Sequence, residues 1–325
     1  MKLLVTGGAG YIGSVVAAQL IEAGHEVVIL DDLSTGHLDA VPPGARFVRG
    51  DLRTQAEPVL ADGIEAVLHF AAKSLVGESV EFPARYWDNN LGGTLALLEA
   101  MRVTQVGSIV FSSTAAVYGE PESVPIEETA PTRPTSPYGA SKLAVDTALT
   151  EHSRLLGAGA ISLRYFNVAG AYRERSGSWL GERHDTETHL IPNVLATALG
   201  RAGELSIFGD DYPTPDGTCV RDYIHVADLA RAHLLALDNC VPGEHKVYNL
   251  GSGSGFSNRE VLAACRDITG RDIPARMAGR RPGDPAVLIA SSDRIRAELG
   301  WRAARSLTDM VADAWTFSQS RVGIR

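Results

Sequence analysis

Tyr138 and Lys142 stand four residues apart in SPYGASKLAVD (residues 136–146), a pairing able to do acid–base chemistry. Ser136 is a favoured helix N-cap and Pro137 a favoured first helical residue, so the spacing predicts a helix that begins here. One turn apart, phenol and ammonium share a face of that helix. The plain alternative is a solvated pair on an amphipathic helix. Two features weigh against it. The chain has four lysines against 26 arginines, so its nine tyrosines would meet a lysine at this spacing only about 0.1 times by chance. Arginine serves a solvated face equally well, whereas a compact ammonium can lower the pKa of a neighbouring phenol. A phenol so activated is a general base.

A second motif binds rather than reacts. VTGGAGYIG follows an apolar run and opens a helical one, with Gly7, Gly10 and Gly13 in Gly-x-x-Gly-x-x-Gly spacing and Gly8 completing Gly-x-Gly-x-x-Gly. Such glycines allow a tight turn and close backbone approach, so main-chain N–H groups at the helix start can hold a pyrophosphate. Asp31, eighteen residues past Gly13 at the end of the second strand, is placed to accept hydrogen bonds from a ribose diol. With Asp32 beside it, a 2′-phosphate would be repelled, which favours NAD over NADP. Asp51 and Leu52, just after the third strand, are placed to reach the adenine.

These motifs need a frame that sets a strand end, a glycine turn and a helix start together. Candidate strands at 3–6, 27–30, 46–49, 66–70, 108–112 and 161–165 alternate with helical stretches near 11–23, 82–101 and 138–156. Strand, helix, strand in repetition predicts an α/β fold, a Rossmann-type doubly wound parallel sheet. After about residue 170 comes a loop rich in Gly, Ser and charge (ERSGSWLGERHDTETH). Isolated strands (LSIF, KVYNL) and helices near 226–238, 257–269 and 306–320 follow. The division expected is a dinucleotide-binding domain over 1–170, with returning segments later, and a smaller C-terminal substrate-binding lobe over 171–325. Ligands sit beyond the carboxyl ends of such strands.

Composition narrows the function. The 325 residues carry a net charge of −9 and no basic block, which disfavours nucleic acid or a membrane surface as partner. Cys219, Cys240 and Cys265 are too few and too scattered for a disulfide framework or a metal knot, so no metal is expected and a reducing, cytoplasmic setting is. The N-terminal apolar stretch is too short for a signal peptide, and no run approaches a membrane span.

The constellation resembles the extended short-chain dehydrogenase/reductases, and within them the UDP-glucose 4-epimerase family (also called UDP-galactose 4-epimerases). The stretches that carry it run almost the whole chain: VTGGAGYIG, HFAAKSLVGESV, YWDNN, FSSTAAVYG, SPYGASK, LRYFNVAGA, IFGDDYPTPDGTCVRDYIHVADLA, VYNLGSG and RRPGD. The last four belong to a sugar-nucleotide lobe. The resemblance implies that Tyr138 is the catalytic base and that Lys142 binds nicotinamide ribose while lowering the phenol's pKa. Thr114 would hydrogen-bond the sugar hydroxyl. The implied reaction oxidises C4 of a UDP-hexose with bound NAD, lets the 4-keto sugar turn over, and returns hydride to the other face.

By the same resemblance Tyr11, Ile12 and the segment Asp31, Asp32, Leu33, Ser34, Thr35 and Gly36 hold NAD. Phe70, Ala71, Ala72, Lys73, Asn89 and Ser112 line it, and Phe166 lies near nicotinamide. For the uridine diphosphate half the matching positions are Asn167, Arg221, Arg281 and Asp284, with Phe208 beside the uracil and Leu288 beside the sugar's C2 substituent. Members commonly form homodimers. Two positions depart from the commoner pattern: Lys73 stands one residue early and is followed by Ser74, and His189 of ETHLIP falls where an asparagine contacting the diphosphate is usual.

Rival readings can be weighed on residues. An epimerase of UDP-N-acetylhexosamines would use the same machinery with a roomier sugar pocket. A 4,6-dehydratase needs an acid pair after the threonine of the fifth strand, and here Thr114 is followed by Ala115 and Ala116. A non-catalytic dinucleotide binder has no chemical reason to keep Thr114, Tyr138 and Lys142 together. A net dehydrogenase with a cysteine nucleophile would need a thiol in a catalytic stretch.

Overall fold

Leu3 and Val5 face one side of strand Lys2–Thr6 (β1) and Leu4 faces the other, and all three are fully buried. An apolar run of this kind belongs to a sheet covered on both faces. The computed structural model describes residues 1–281 and 283–321. Its main sheet adds Glu26–Asp31 (β2), Arg46–Arg49 (β3), Ala66–His69 (β4), Ser108–Thr114 (β5), Gly159–Tyr165 (β6) and His245–Leu250 (β7). All neighbours are parallel, in the order β7-β6-β5-β4-β1-β2-β3.

One face carries Tyr11–Glu22 (α1), whose Val15, Val16 and Leu20 pack with Leu3, Val5 and the later helix Val226–Leu237. The other carries Leu52–Leu60 (α2), Gly93–Thr104 (α3) and Pro137–Leu156 (α4), which bury Val59, Leu97, Met101, Val145 and Leu149 against Leu4 and Val28. The doubly wound parallel sheet expected from the sequence is therefore the observed one.

One expectation is refined and one changes. A separate helix Val76–Glu81 precedes the one predicted over 82–101, which runs without a break through Pro83–Tyr86, a π-helical turn Trp87–Gly92 and α3. Pro83 has no N–H to continue the first segment, and the wide turn carries Asn90 inward. KVYNL is no isolated strand: β7 pairs with β6 from His245↔Ala160 to Leu250↔Tyr165 and completes the large sheet.

Beyond the sheet ends, Val220–His225 pairs with Asn167–Ala169, Gly255–Ser257 and Val287–Leu288. Leu205–Phe208 pairs with Ala275–Ala278. Helices Leu190–Ala198, Asn258–Thr269 and Leu307–Ser320 enclose a separate core of Ile191, Val194, Val261, Cys265, Met310, Val311 and Trp315. Among the described residues no helix is long and apolar enough to cross a membrane.

Candidate active site

After β3 the chain crosses to the other side of β1 to form β4, which makes the carboxyl ends of β1 and β4 the switch point where ligands bind. Gly7 turns there with φ +70°, and a Cβ on it would lie 2.6 Å from the Ala71 backbone nitrogen. A Cβ on Gly13 would lie 2.3 Å from the Gly7 carbonyl oxygen. Gly10 differs: an added Cβ would meet only that oxygen, at 3.3 Å, so this side of the turn is open. No side chain caps α1 and no acid occupies its first turn. Its leading N–H groups are left to an external acceptor.

Asp31 closes the other end of this groove. It is buried, its Oδ2 accepting the Ala9 N–H at 3.0 Å and its Oδ1 the Leu33 N–H at 2.8 Å. Burial raises its pKa and the two N–H bonds oppose that. Asp32 accepts the Ser34 N–H at 2.8 Å. An open ring of N–H groups and an acid one strand away fit the pyrophosphate and ribose of an adenine dinucleotide. At the end of β3, Asp51 caps α2 by accepting the Arg53 N–H at 2.7 Å, and Leu52 packs on the core.

Phe70, Ala71, Ala72 and Lys73 leave β4 under the control of a residue that sequence reasoning passed over. Buried Asn90 accepts the Lys73 N–H at 2.8 Å and donates to the Lys73 carbonyl at 3.0 Å and to Ser141 Oγ of α4 at 3.1 Å. Asn89, half-buried, donates to Asn90 at 3.0 Å. The only signal was the polar pair inside YWDNN.

The start of α4 is set as its sequence predicts, with Ser136 Oγ accepting the Gly139 N–H at 3.2 Å. Thr114, at the end of β5, accepts the Ala116 N–H at 3.1 Å and turns the chain beneath α4. Tyr138 therefore comes beside Thr114, with its ring edge-on to Tyr86 at 6.4 Å. Burial raises the phenol's pKa and the neighbouring Thr114 hydroxyl works against that. Lys142 is 2% exposed, its Nζ donating to the Ser112 carbonyl at 2.8 Å and lying 4.7 Å above the Phe111 ring. Burial pushes the ammonium down to about 7 against the pull of Asp146.

Of the three N–H groups of the Lys142 ammonium, one is given to the Ser112 carbonyl. Beneath it, Asp146 accepts from Arg164 at 2.9 Å and from Ser113 at 3.2 Å in a fully buried network. Ser112 Oγ shares a short hydrogen bond with Tyr165.

The substrate-side candidates also converge. Arg221 donates to Asp284 at 2.6 Å and to its neighbour's carbonyl, that of Val220, at 2.9 Å. The Arg281 guanidinium stacks 4.1 Å over Phe208. Asn167 is in register with Tyr223, and Leu288 with Arg221. Half-buried Leu288 and Phe166 pack on one small cluster with Val117, Tyr118 and Ile126. His189 is held by acids: its Nδ1 lies 2.8 Å from Glu182 and 3.0 Å from Glu187. Burial opposes its protonation, but the two carboxylates raise its pKa to about 10.

Asp222 is a further residue missed. Wholly buried, it accepts from Ser252 N–H, Ser252 Oγ, Gly253 N–H and Ala290 N–H, and so ties the loop after β7 to the substrate-side strands. Burial holds all three thiols above their ordinary pKa, Cys240 and Cys265 at about 12. They are poor nucleophiles.

A parallel sheet in this strand order, with a glycine turn at the switch point and Tyr-x-x-x-Lys beside it, defines a dinucleotide-dependent enzyme of the short-chain dehydrogenase/reductase class. The chain belongs to the NAD dependent epimerase/dehydratase family, which matches residues 3–251. It is 58% identical to a UDP-glucose 4-epimerase of Streptomyces lividans over 98% of this chain and 96% of that one. It is 55% identical to one of Corynebacterium glutamicum at the same coverage. The solved UDP-glucose 4-epimerase of Bifidobacterium longum, in complex with NAD+ and UDP, superimposes with a TM-score of 0.93 at 39% identity, covering 99% of each chain.

Proposed function

We infer that this chain interconverts UDP-galactose and UDP-glucose by transient oxidation at C4 with bound NAD. The observation that carries this is the meeting of Tyr138 and Thr114 above buried Lys142, at the strand ends that also bear the open glycine turn. When bound, the dinucleotide supplies the hydride acceptor and donor. Gly7, Gly10, Tyr11, Ile12 and Gly13 receive its pyrophosphate, and Asp31 and Asp32 its adenosine ribose. Tyr138 takes the proton of the 4-hydroxyl as that carbon is oxidised, Thr114 relays it, and Tyr138 returns it after the ring has turned over. Lys142 orients the ribose next to Tyr138. Arg221, Arg281 and Asp284 hold the diphosphate end, where Arg's planar fork suits paired oxygens.

The domain boundary is placed near residue 170, with later segments returning to the first domain. A homodimer is supported by exposed apolar side chains on adjacent helices: Leu95 and Val103 of α3, and Leu155 and Leu156 of α4. The setting proposed is cytoplasmic.

Purified protein given UDP-galactose labelled with deuterium at C4 should yield UDP-glucose by NMR with the label retained. It should need no stoichiometric NAD. Absence of UDP-glucose would overturn the reading, and free NADH rising with product would favour a net dehydrogenase.

A further inference from the structure

Glu182, His184, Glu187 and His189 follow the spacing Glu-x-His-x-x-Glu-x-His, between strand Trp179–Gly181 and helix Leu190–Ala198. Each offers one ligand atom, and the four atoms all lie within 4.8 Å of one another. His189 Nδ1 is 2.8 Å from Glu182 and 3.0 Å from Glu187. His184 Nδ1 is 3.5 Å from Glu182 and 3.2 Å from Glu187, there from the carboxylate oxygen that His189 does not face. A tetrahedral cation at 2.0–2.2 Å from its ligands sets them about 3.3–3.6 Å apart, so the His184 distances are close to those of such a cage and His189 would have to move outward slightly to join it.

Glu182 is a second, separate sign. Its side chain is only 9% exposed. His189 Nδ1 lies 2.8 Å from it and His184 Nδ1 3.5 Å, so both imidazoles face both acids. A carboxylate that buried needs a cation in front of it, either an imidazolium or a metal ion that takes the place of its proton. Two carboxylates and two imidazoles suit Zn2+ and its neighbours, and they match its charge; Mg2+ and Ca2+ prefer an all-oxygen shell.

We propose that Glu182, His184, Glu187 and His189 form a closed four-ligand site for a transition-metal dication of the Zn2+ class. With all positions filled by protein it is a structural clamp, separate from the reaction at Tyr138. What it clamps is visible: Arg183, between two ligands, ion-pairs with Asp39 at 2.6 Å, and its carbonyl lies 3.4 Å from His37 Nε2. The loop thus joins the segment following the dinucleotide's ribose turn to the helix that starts after His189.

The test uses the full chain, stripped with a chelator and titrated with Co2+ alone. One equivalent should produce the visible absorption of tetrahedral cobalt, which Zn2+ displaces. Zn2+ should raise the Tm and Mg2+ should not. Glu182→Gln and His184→Gln, checked for native circular dichroism, should each weaken Co2+ binding at least tenfold. No saturable cobalt band, an equal Tm rise with Mg2+, or unchanged binding in both folded variants would overturn the site. The quartet is then a plain ion-pair cluster with protonated histidines.

Discussion

Gly139 and the carbonyl of Ala116 meet so closely that a Cβ on the glycine would sit 2.5 Å from that oxygen. The contact locks the first turn of α4 onto the turn after β5, and so fixes Tyr138 against Thr114. Gly139→Ala should push them apart. A displacement of about 1 Å in such a constellation can cost on the order of 10²-fold. We expect turnover to fall at least tenfold with secondary structure intact and NAD affinity changed less than tenfold. Turnover within twofold of wild type would mean that the two elements are positioned by other contacts.

Tyr138→Phe keeps the ring against Tyr86 and removes the proton acceptor. General base catalysis is typically worth about 10²–10⁴ in rate, and a loss of that size is expected with nucleotide binding largely preserved. Lys142→Ala should lose both, since it deletes the ribose ligand and leaves the Ser112 carbonyl without its donor. Steady-state kinetics and isothermal titration with NAD separate the two patterns, and threefold or smaller change in Tyr138→Phe would remove the base assignment.

His69 predicts an acid limit to stability. Its ring is buried between Thr6 Oγ1 at 2.6 Å and Thr94 Oγ1 at 2.8 Å, and burial pushes its pKa down to about 3. In the unfolded chain it titrates near 6.5. Between these values the unfolded state binds a proton that the native state refuses, so stability is full above about pH 6.5 and falls as pH drops toward 3. The slope is about 1.4 kcal/mol per pH unit. His69→Gln should lower the Tm at pH 7.5 yet lose less than wild type between pH 6 and pH 5. Identical pH slopes in thermal melts would contradict the assignment.

Strand positions were legible because two-sided burial writes itself as apolar runs: Leu3, Leu4 and Val5 cannot face water on any side of a covered sheet. The glycine turn and Tyr138–Lys142 were legible because each is local in the chain. What the sequence hid is tertiary. Asn90 and Asp222 look like polar loop residues until the segments they hold are brought to them, and β7 has no mark of its sheet except β6 beside it. The Glu182–His189 quartet reads as a charged loop, and only folding turns its side chains inward.

Leu288 tests the sugar pocket. It stands opposite Arg221 across two parallel strands and packs on the same small cluster as Phe166, which under the proposed function puts it near the sugar. A large aromatic there would close the space beside the sugar's C2 substituent and a glycine would open it. Leucine is intermediate in size and half-buried, not lost in the core. Excluding a group of acetamido size by packing is worth about 1–3 kcal/mol, which sets a preference, not a barrier. We expect UDP-galactose and UDP-glucose to be used at least tenfold better in kcat/KM than their N-acetylated counterparts, and Leu288→Gly to narrow that gap. The measurement is kcat/KM on both pairs for both proteins. Equal efficiency in the wild type, or a gap unmoved by Leu288→Gly, would place the pocket wall on other residues.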